Sequence, residues 1–221
     1  MGLALGAVFL MDYLDPTFRW ENGGTQSLLG VPVLGAIPQV ARKNIPLSKD
    51  EQLLPVAEGV RSILVNVFLM QPGRPLKTLL FSSPGTAEGK SFVLANLAIA
   101  LASGGNRVIA VDADLRRPSL HELFDQPNIV GLADVLGDRV EGEGRLPPIP
   151  LQETRFDKLR FLPAGRLKED PVALLTSSRF PILLDFLIEQ SDIVLIDSPP
   201  VLGPSDAKIL TTMAEGTILV V

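Results

Sequence analysis

Cysteine is absent from the 221 residues. That removes disulfides, thiolate metal sites and thiol nucleophiles together, and it fits a reducing compartment. Histidine occurs once, as His121, which excludes a histidine-rich metal site and leaves little support for a catalytic triad built on it. The net charge is only −5, with both signs scattered along the chain, so there is no basic footprint and no nucleic-acid partner is expected. Repeats and low-complexity tracts are also missing. No apolar run reaches the roughly 20 residues of a membrane-spanning helix. The opening segment Met1 to Met11 (MGLALGAVFLM) is uncharged and stops at Asp12, without the basic leader and cleavage site of a signal peptide. It reads as the cytoplasmic end of a transmembrane helix that begins earlier, or otherwise as a buried or frayed terminal segment.

What is present is a chain with 46% apolar side chains, enough for one globular domain with appendages. From Pro16 to about Pro55 it is broken by Gly23-Gly24 and by prolines at 32, 38, 46 and 55, the pattern of a linker. A helix is predicted from Ala57 to Met70, closed by Pro72, Gly73 and Pro75. Short, nearly all-apolar runs follow at Leu76 to Phe81, Val108 to Val111, Leu159 to Leu162, Ile193 to Ile196 and Thr217 to Val221. Continuous rather than alternating hydrophobicity belongs to parallel strands covered on both faces. The segments Lys90 to Ser103, Ser119 to Leu136 and Pro171 to Gln190 then read as crossover helices, and Gly137 to Pro150 as a mobile surface loop. The expected fold is α/β: a doubly wound, mainly parallel sheet with flanking helices. The chain divides accordingly into a membrane-helix end at 1–11, a juxtamembrane linker at 12–55 and a globular domain at 56–221, its sheet edge and tail continuing beyond Val221.

Three segments carry the chemistry. The first strand runs into Ser82-Ser83-Pro84-Gly85-Thr86-Ala87-Glu88-Gly89-Lys90-Ser91 and then a long Ala/Leu helix. Small residues from Gly85 to Gly89 let backbone amides approach phosphate oxygens, and the helix start at Lys90, Ser91 and Phe92 favours their charge. Lys90 reaches the β and γ phosphates and Ser91 ligates magnesium. Pro84 stands where the strict motif has glycine, and a Gly-Lys-Ser turn can also simply open a helix. In the second segment, Asp112 and Asp114 leave the carboxyl end of a buried strand two residues apart, the edge where such sheets bind ligands. They can reach magnesium, its waters or an attacking hydroxyl, while Arg116 supplies a cation for phosphate or for a neighbouring carboxylate. An Asp after a strand is also a common helix N-cap. The third, Ile193 to Ile196 followed by Asp197, has the form of a Walker B strand whose acid holds a magnesium-bound water beside Ser91. Pro199-Pro200 and Asp206 suggest a stiff loop able to sense the γ-phosphate, although Pro-Pro also ends strands.

In order and spacing these motifs resemble the cytoplasmic domain of bacterial tyrosine kinases of the polysaccharide co-polymerase type. Asp112 to Pro118 looks like that family's second Walker A segment, and Leu159 to Gly165 with Pro171 to Leu175 looks like its LPAG and P-ELL stretch. Tyr13-Leu14-Asp15 and Val31 to Pro38 look like its membrane-proximal front end. The resemblance implies ATP and Mg2+ as cofactors, Asp112 and Asp114 as base and magnesium-site acids with Lys90, and Ser91, Asp112 and Asp197 around the metal. It also implies a location at the bacterial inner membrane with the ATP-binding domain in the cytoplasm, a homo-oligomeric ring, and a polysaccharide polymerisation and export machinery as partner. The ring helix of that family has the form E-x-x-R-x-x-R, and this chain has Glu58 and Arg61 but Leu64. That family phosphorylates a tyrosine cluster in its C-terminal tail, whereas the one tyrosine here is Tyr13, so the cluster is either truncated away or absent. A deviant Walker ATPase of the partitioning kind is disfavoured by Gly85, where those proteins carry a signature lysine. An ATP-binding assembly switch without kinase activity is the remaining alternative.

Overall fold

The computed structural model describes residues 30–39, 54–70, 73, 76–137, 146–203 and 205–221. The chain separates into two compact units, Met1–Leu34 and Gly35–Val221, and the sheet with its helices belongs to the second. The membrane-helix end expected at 1–11 lies outside the described residues, as does most of the linker. Among the described residues no helix is long and apolar enough to cross a membrane.

The second unit contains α1 (Leu54–Met70), β1 (Thr78–Ser82), α2 (Lys90–Ser103), β2 (Val108–Asp112), α3 (Leu120–Phe124) and α4 (Leu132–Gly137). It continues with β3 (Gln152–Glu153), β4 (Leu159–Leu162), α5 (Pro171–Leu175), α6 (Arg179–Glu189), β5 (Ile193–Asp197), α7 (Asp206–Thr211) and β6 (Gly216–Leu219). The sheet order is β3-β4-β2-β5-β1-β6. Every pairing is parallel except that of β3 with β4. Apolar runs that could serve neither face of a half-exposed sheet are satisfied here, because β1 and β2 are buried at every position. Leu80, Ile109, Val111, Leu162, Val194 and Ile196 join the core built with α4, α5 and α6. Their alternate neighbours Phe81, Ala110, Phe161 and Leu195 are equally buried, and α2 lies over β1, β2 and β5. The alanines of α2 allow close approach, and α1 packs against it in turn.

The expected crossover from Ser119 to Leu136 is two helices, not one. Asp125 ends α3 in the left-handed conformation (φ 54°), and Pro127 cannot supply the amide that would continue it. The stretch from Pro171 to Gln190 breaks likewise at Thr176, whose hydroxyl donates to the Val172 carbonyl at 2.8 Å. The short antiparallel β3 and the helix α7 were not expected. Leu146 and Ile149, from the segment read as a surface loop, pack on the core. Residues 138–145 of that loop lie outside the described residues. Helix α1 starts within the segment read as linker, and an added Cβ on its Gly59 would stand 2.5 Å from the Ala36 carbonyl oxygen. Residues 35–37 therefore run flush against this helix.

At the carboxyl edge of β4, the amides of Leu132 and Ala133 donate to the carbonyls of Pro163 and Ala164, both at 2.8 Å. Gly131 permits this approach, since a Cβ there would overlap the Pro163 carbonyl and the Gly165 amide. Gly131→Ala is expected to destabilise the domain by roughly 2 kcal/mol or more, because backbone rather than a flexible side chain must yield. A thermal melt matching that of the parent protein would show that the loop gives way freely.

Candidate functional site

All the strands that carry chemistry run parallel, so their carboxyl ends meet at one edge. The loop from Ser83 to Gly89 leaves β1 there, held at its base by the Ser83 hydroxyl donating to the Gly85 carbonyl at 2.7 Å. It is further pinned by the Val201 amide on the Ser83 carbonyl at 2.8 Å. Thr86, Ala87, Glu88 and Gly89 are exposed at its tip. Gly89 caps α2 with φ 90° and no side-chain hydrogen bond. The first amides of this helix thus lack a side-chain acceptor and sit at its positive end, an arrangement suited to an anion. Gly85 and Phe92 are half-buried on either side of that tip.

Lys90 and Ser91 turn inward from the first turn of α2. The Lys90 ammonium lies 3.3 Å from Asp114 Oδ2 and 3.4 Å from Asp197 Oδ1, and the Ser91 hydroxyl donates to Asp197 Oδ2 at 2.5 Å. Asp112 and Asp197 are register partners at the ends of β2 and β5, and both are fully buried. Asp112 Oδ2 accepts the Ser119 and Leu120 amides at 3.0 Å each, so one oxygen does cap α3. The other oxygen, Oδ1, is buried without a hydrogen-bond donor, as is Asp197 Oδ1, which has only the ionic contact with Lys90.

Two carboxylates side by side in a dry site cannot both ionise cheaply. Burial, and next the neighbouring Asp197, push the Asp112 carboxyl well above the ordinary range. Burial also raises Asp197 to about 6, against the opposing pull of the Lys90 ammonium and the Ser91 hydroxyl. Burial alone would lower the Lys90 pKa, but Asp197 and then Asp114 outweigh it and hold it above the usual lysine value. A site crowded with acids around one cation is poised to accept further positive charge.

The structure brings together Lys90, Ser91, Asp112, Asp114 and Asp197. Arg116 reaches a carboxylate: its Nε donates to Asp206 Oδ2 at 2.7 Å and its Nη2 to Oδ1 at 3.3 Å. Asp206, expected in a stiff loop, is instead buried in the first turn of α7. Ser119 was missed. The run Ser119-Leu120-His121-Glu122 has the capping-box pattern, yet the Ser119 hydroxyl makes no cap bond. It donates to Ser91 Oγ at 2.8 Å, while Asp112 takes the helix amides in its place.

The sequence pattern described as the CobQ/CobB/MinD/ParA nucleotide binding domain matches residues 79–215. Tyrosine-protein kinase YwqD of Bacillus subtilis (strain 168) is 34% identical over 165 residues, which are 75% of this chain and 68% of YwqD. The chain belongs to the bacterial tyrosine-protein kinases. Tyrosine-protein kinase wzc of Salmonella typhimurium is 32% identical over 208 residues, 86% of this chain but 28% of wzc. Among solved structures, the chimerical protein CapA2B2 matches with a TM-score of 0.77 at 29% identity, over 88% of this chain and 82% of that one. The tyrosine-kinase fold is thus a nucleotide-binding domain whose loop at Ser83 to Gly89 and acids at 112, 114 and 197 share one edge.

Proposed function

We propose that this tyrosine-kinase domain binds ATP with Mg2+ and transfers the γ-phosphoryl group to tyrosine hydroxyls. The observation that carries the reading is the convergence of Lys90, Ser91 and three buried aspartates at the open edge of the sheet. Magnesium fits this site: the Ser91 oxygen, the unpartnered Asp112 Oδ1 and Asp197 are hard oxygen donors. The remainder of its shell would come from phosphate oxygens and water. Bound there, magnesium would neutralise charge on the transferring phosphate.

The residues then divide the work. Amides of the loop and of the α2 N-terminus hold the phosphates, and Lys90 places positive charge where the β–γ bridging oxygen takes up electrons. The tyrosine oxygen bonds to the γ-phosphorus as the bond to that bridging oxygen breaks, and ADP departs. Asp112, at the end of β2 beside the nucleotide loop, takes the tyrosine proton as the positioned base.

Ser119→Ala tests the hydroxyl chain that runs from Ser119 through Ser91 to Asp197. Losing one neutral hydrogen bond is worth about 1 kcal/mol, so the Mg2+ needed for half-maximal nucleotide binding should rise about fivefold. An unchanged magnesium titration would remove Ser119 from the site.

The partners follow the same reading. Glu58 and Arg61 are exposed on α1, and Val65, Phe68, Leu69 and Met70 continue an exposed surface on that helix, which supports a homo-oligomeric ring. A polysaccharide polymerisation and export machinery would be its setting, with residues 1–11 at the bacterial inner membrane and the kinase domain in the cytoplasm. The deciding experiment incubates the purified chain with ATP and magnesium, with and without a tyrosine-rich peptide, and follows phosphotyrosine and free phosphate. Labelled peptide is expected; free phosphate alone would favour an ATPase, and bound ATP without either product a nucleotide-gated assembly switch.

A further inference from the structure

Arg116 and Asp206 stand 90 residues apart in the chain, yet they close a loop around the site. Arg116 lies four residues beyond Asp112 at the end of β2 and Asp206 nine beyond Asp197 at the end of β5. The two strands are already joined there, with Asp112 opposite Asp197 and the Ala113 amide donating to the Asp197 carbonyl at 2.9 Å. The fork of Arg116 grips both oxygens of Asp206 at 2.7 and 3.3 Å. Asp206 is 1% exposed, and a carboxylate so buried requires a fixed cation. A second arm runs from Arg116 Nη2 to Asp170 Oδ1 at 4.0 Å, and Asp170 in turn caps α5 through the Ala173 amide.

We infer that Asp206 is a positioning residue of the kinase: it holds Arg116 as a strut that fixes the segment 113–119 and, through it, Asp112 and Asp114. Arg116 on this view serves the carboxylate and not a phosphate. The segment's other polar anchors are the Ala113 amide on the Asp197 carbonyl at 2.9 Å, the Ser119 hydroxyl on Ser91 Oγ at 2.8 Å, and the Arg117 amide on Asp114 Oδ1 and the Ser119 and Leu120 amides on Asp112 Oδ2, each at 3.0 Å. The last three use the same carboxylates that must face Lys90 and the substrates. Without the strut, the catalytic acids themselves would carry more of the tethering of their own loop. A misplacement of about 1 Å at such groups lowers turnover by as much as ~100-fold without touching the nucleotide.

The inference rests on the phosphoryl-transfer reading, and the test separates the two. Arg116→Gln, Asp206→Asn and the double variant are compared with the parent chain in peptide phosphorylation, in affinity for a fluorescent ADP analogue with Mg2+, and in amide hydrogen exchange. Each single variant should lose about tenfold or more in kcat, and the double should lose no more than the worse single. Nucleotide affinity should stay within about twofold, and exchange should quicken across 113–119 in both single variants. Arg116→Lys, which keeps the charge without the fork, should fall between parent and Arg116→Gln, and it reports on the strut even if Asp206→Asn folds poorly. A tenfold loss of nucleotide affinity confined to Arg116→Gln would place Arg116 on a phosphate and overturn the strut. Multiplying losses in the double variant, or unchanged exchange at 113–119, would overturn it equally. A parent chain without turnover would sink the kinase reading instead, and the affinity and exchange measurements would still decide the strut.

Discussion

Asp112→Asn is expected to lower phosphotransfer by about 10²- to 10⁴-fold at saturating nucleotide and Mg2+, the usual contribution of a positioned base, and to make the ligand-free domain more stable. The two effects share one cause. Asp112 is fully buried beside Asp197, and its Oδ1 has no hydrogen-bond donor. An Asn side chain can still accept the Ser119 and Leu120 amides through its oxygen, and it removes a charge that the site resists. The pH dependence follows from the sign of the shifts. An acid whose pKa is higher in the folded than in the unfolded chain binds its proton more tightly when folded, so stability falls as pH rises between the two values. For Asp197 the window runs from 3.8 to about 6, a span worth on the order of 3 kcal/mol at ~1.4 kcal/mol per unit; burial and the adjacent Asp197 charge shift Asp112 in the same direction. Parent and variant should therefore melt together near pH 4 and part company at pH 7–8, with the variant higher by about 2–4 °C for each ~1 kcal/mol relieved. Melting curves that coincide at pH 8 would mean that Asp112 is not strained in the ligand-free fold. Undiminished peptide phosphorylation would take it out of the catalytic set.

How much of this was legible in the sequence depends on whether a feature is local. The strand Leu159–Leu162 and the helix Lys90–Ser103 were read with the bounds the structure has, because an apolar run and a Gly-to-Ser span each carry their own signal. Lys90, Ser91, Asp112, Asp114 and Asp197 were legible for the same reason: each sits at a fixed offset from a strand end, and parallel strands bring such ends together. The polar two-residue β3 has no apolar pattern to announce it. Helix α7 follows Pro199-Pro200 so closely that its first turn looked like loop. Pairings between distant segments were out of reach. Arg116 was open between a phosphate and a carboxylate until Asp206 was found buried against it. The bond from the Ser119 hydroxyl to Ser91, with Asp112 capping α3 in its place, had no local signal at all.

Lys90→Ala should have the widest effect of any single change, because Lys90 is the cation shared by Asp114 and Asp197. Charge-assisted hydrogen bonds to phosphate are worth about 1.5–3 kcal/mol each, so losing the ammonium should weaken nucleotide binding by at least about 100-fold. Phosphotransfer should vanish with it. Removing one partner from a buried charged cluster is also destabilising, by roughly 3–5 kcal/mol when a charge is left uncompensated. Here the loss is softened by protonation: Asp197 already titrates at about 6 with the lysine present, and without it the carboxyl will hold its proton to higher pH. The variant should thus fold best in mildly acidic buffer, which is where its binding should be measured, by calorimetry beside the parent chain. Lys90→Met retains most of the apolar stem and separates lost packing from lost charge. Both variants should fail to bind while retaining a cooperative melt. Near-normal ATP affinity in a folded Lys90→Met chain would mean that the loop from Ser83 to Gly89 does not hold the phosphates, and the magnesium and base assignments that depend on it would fall together.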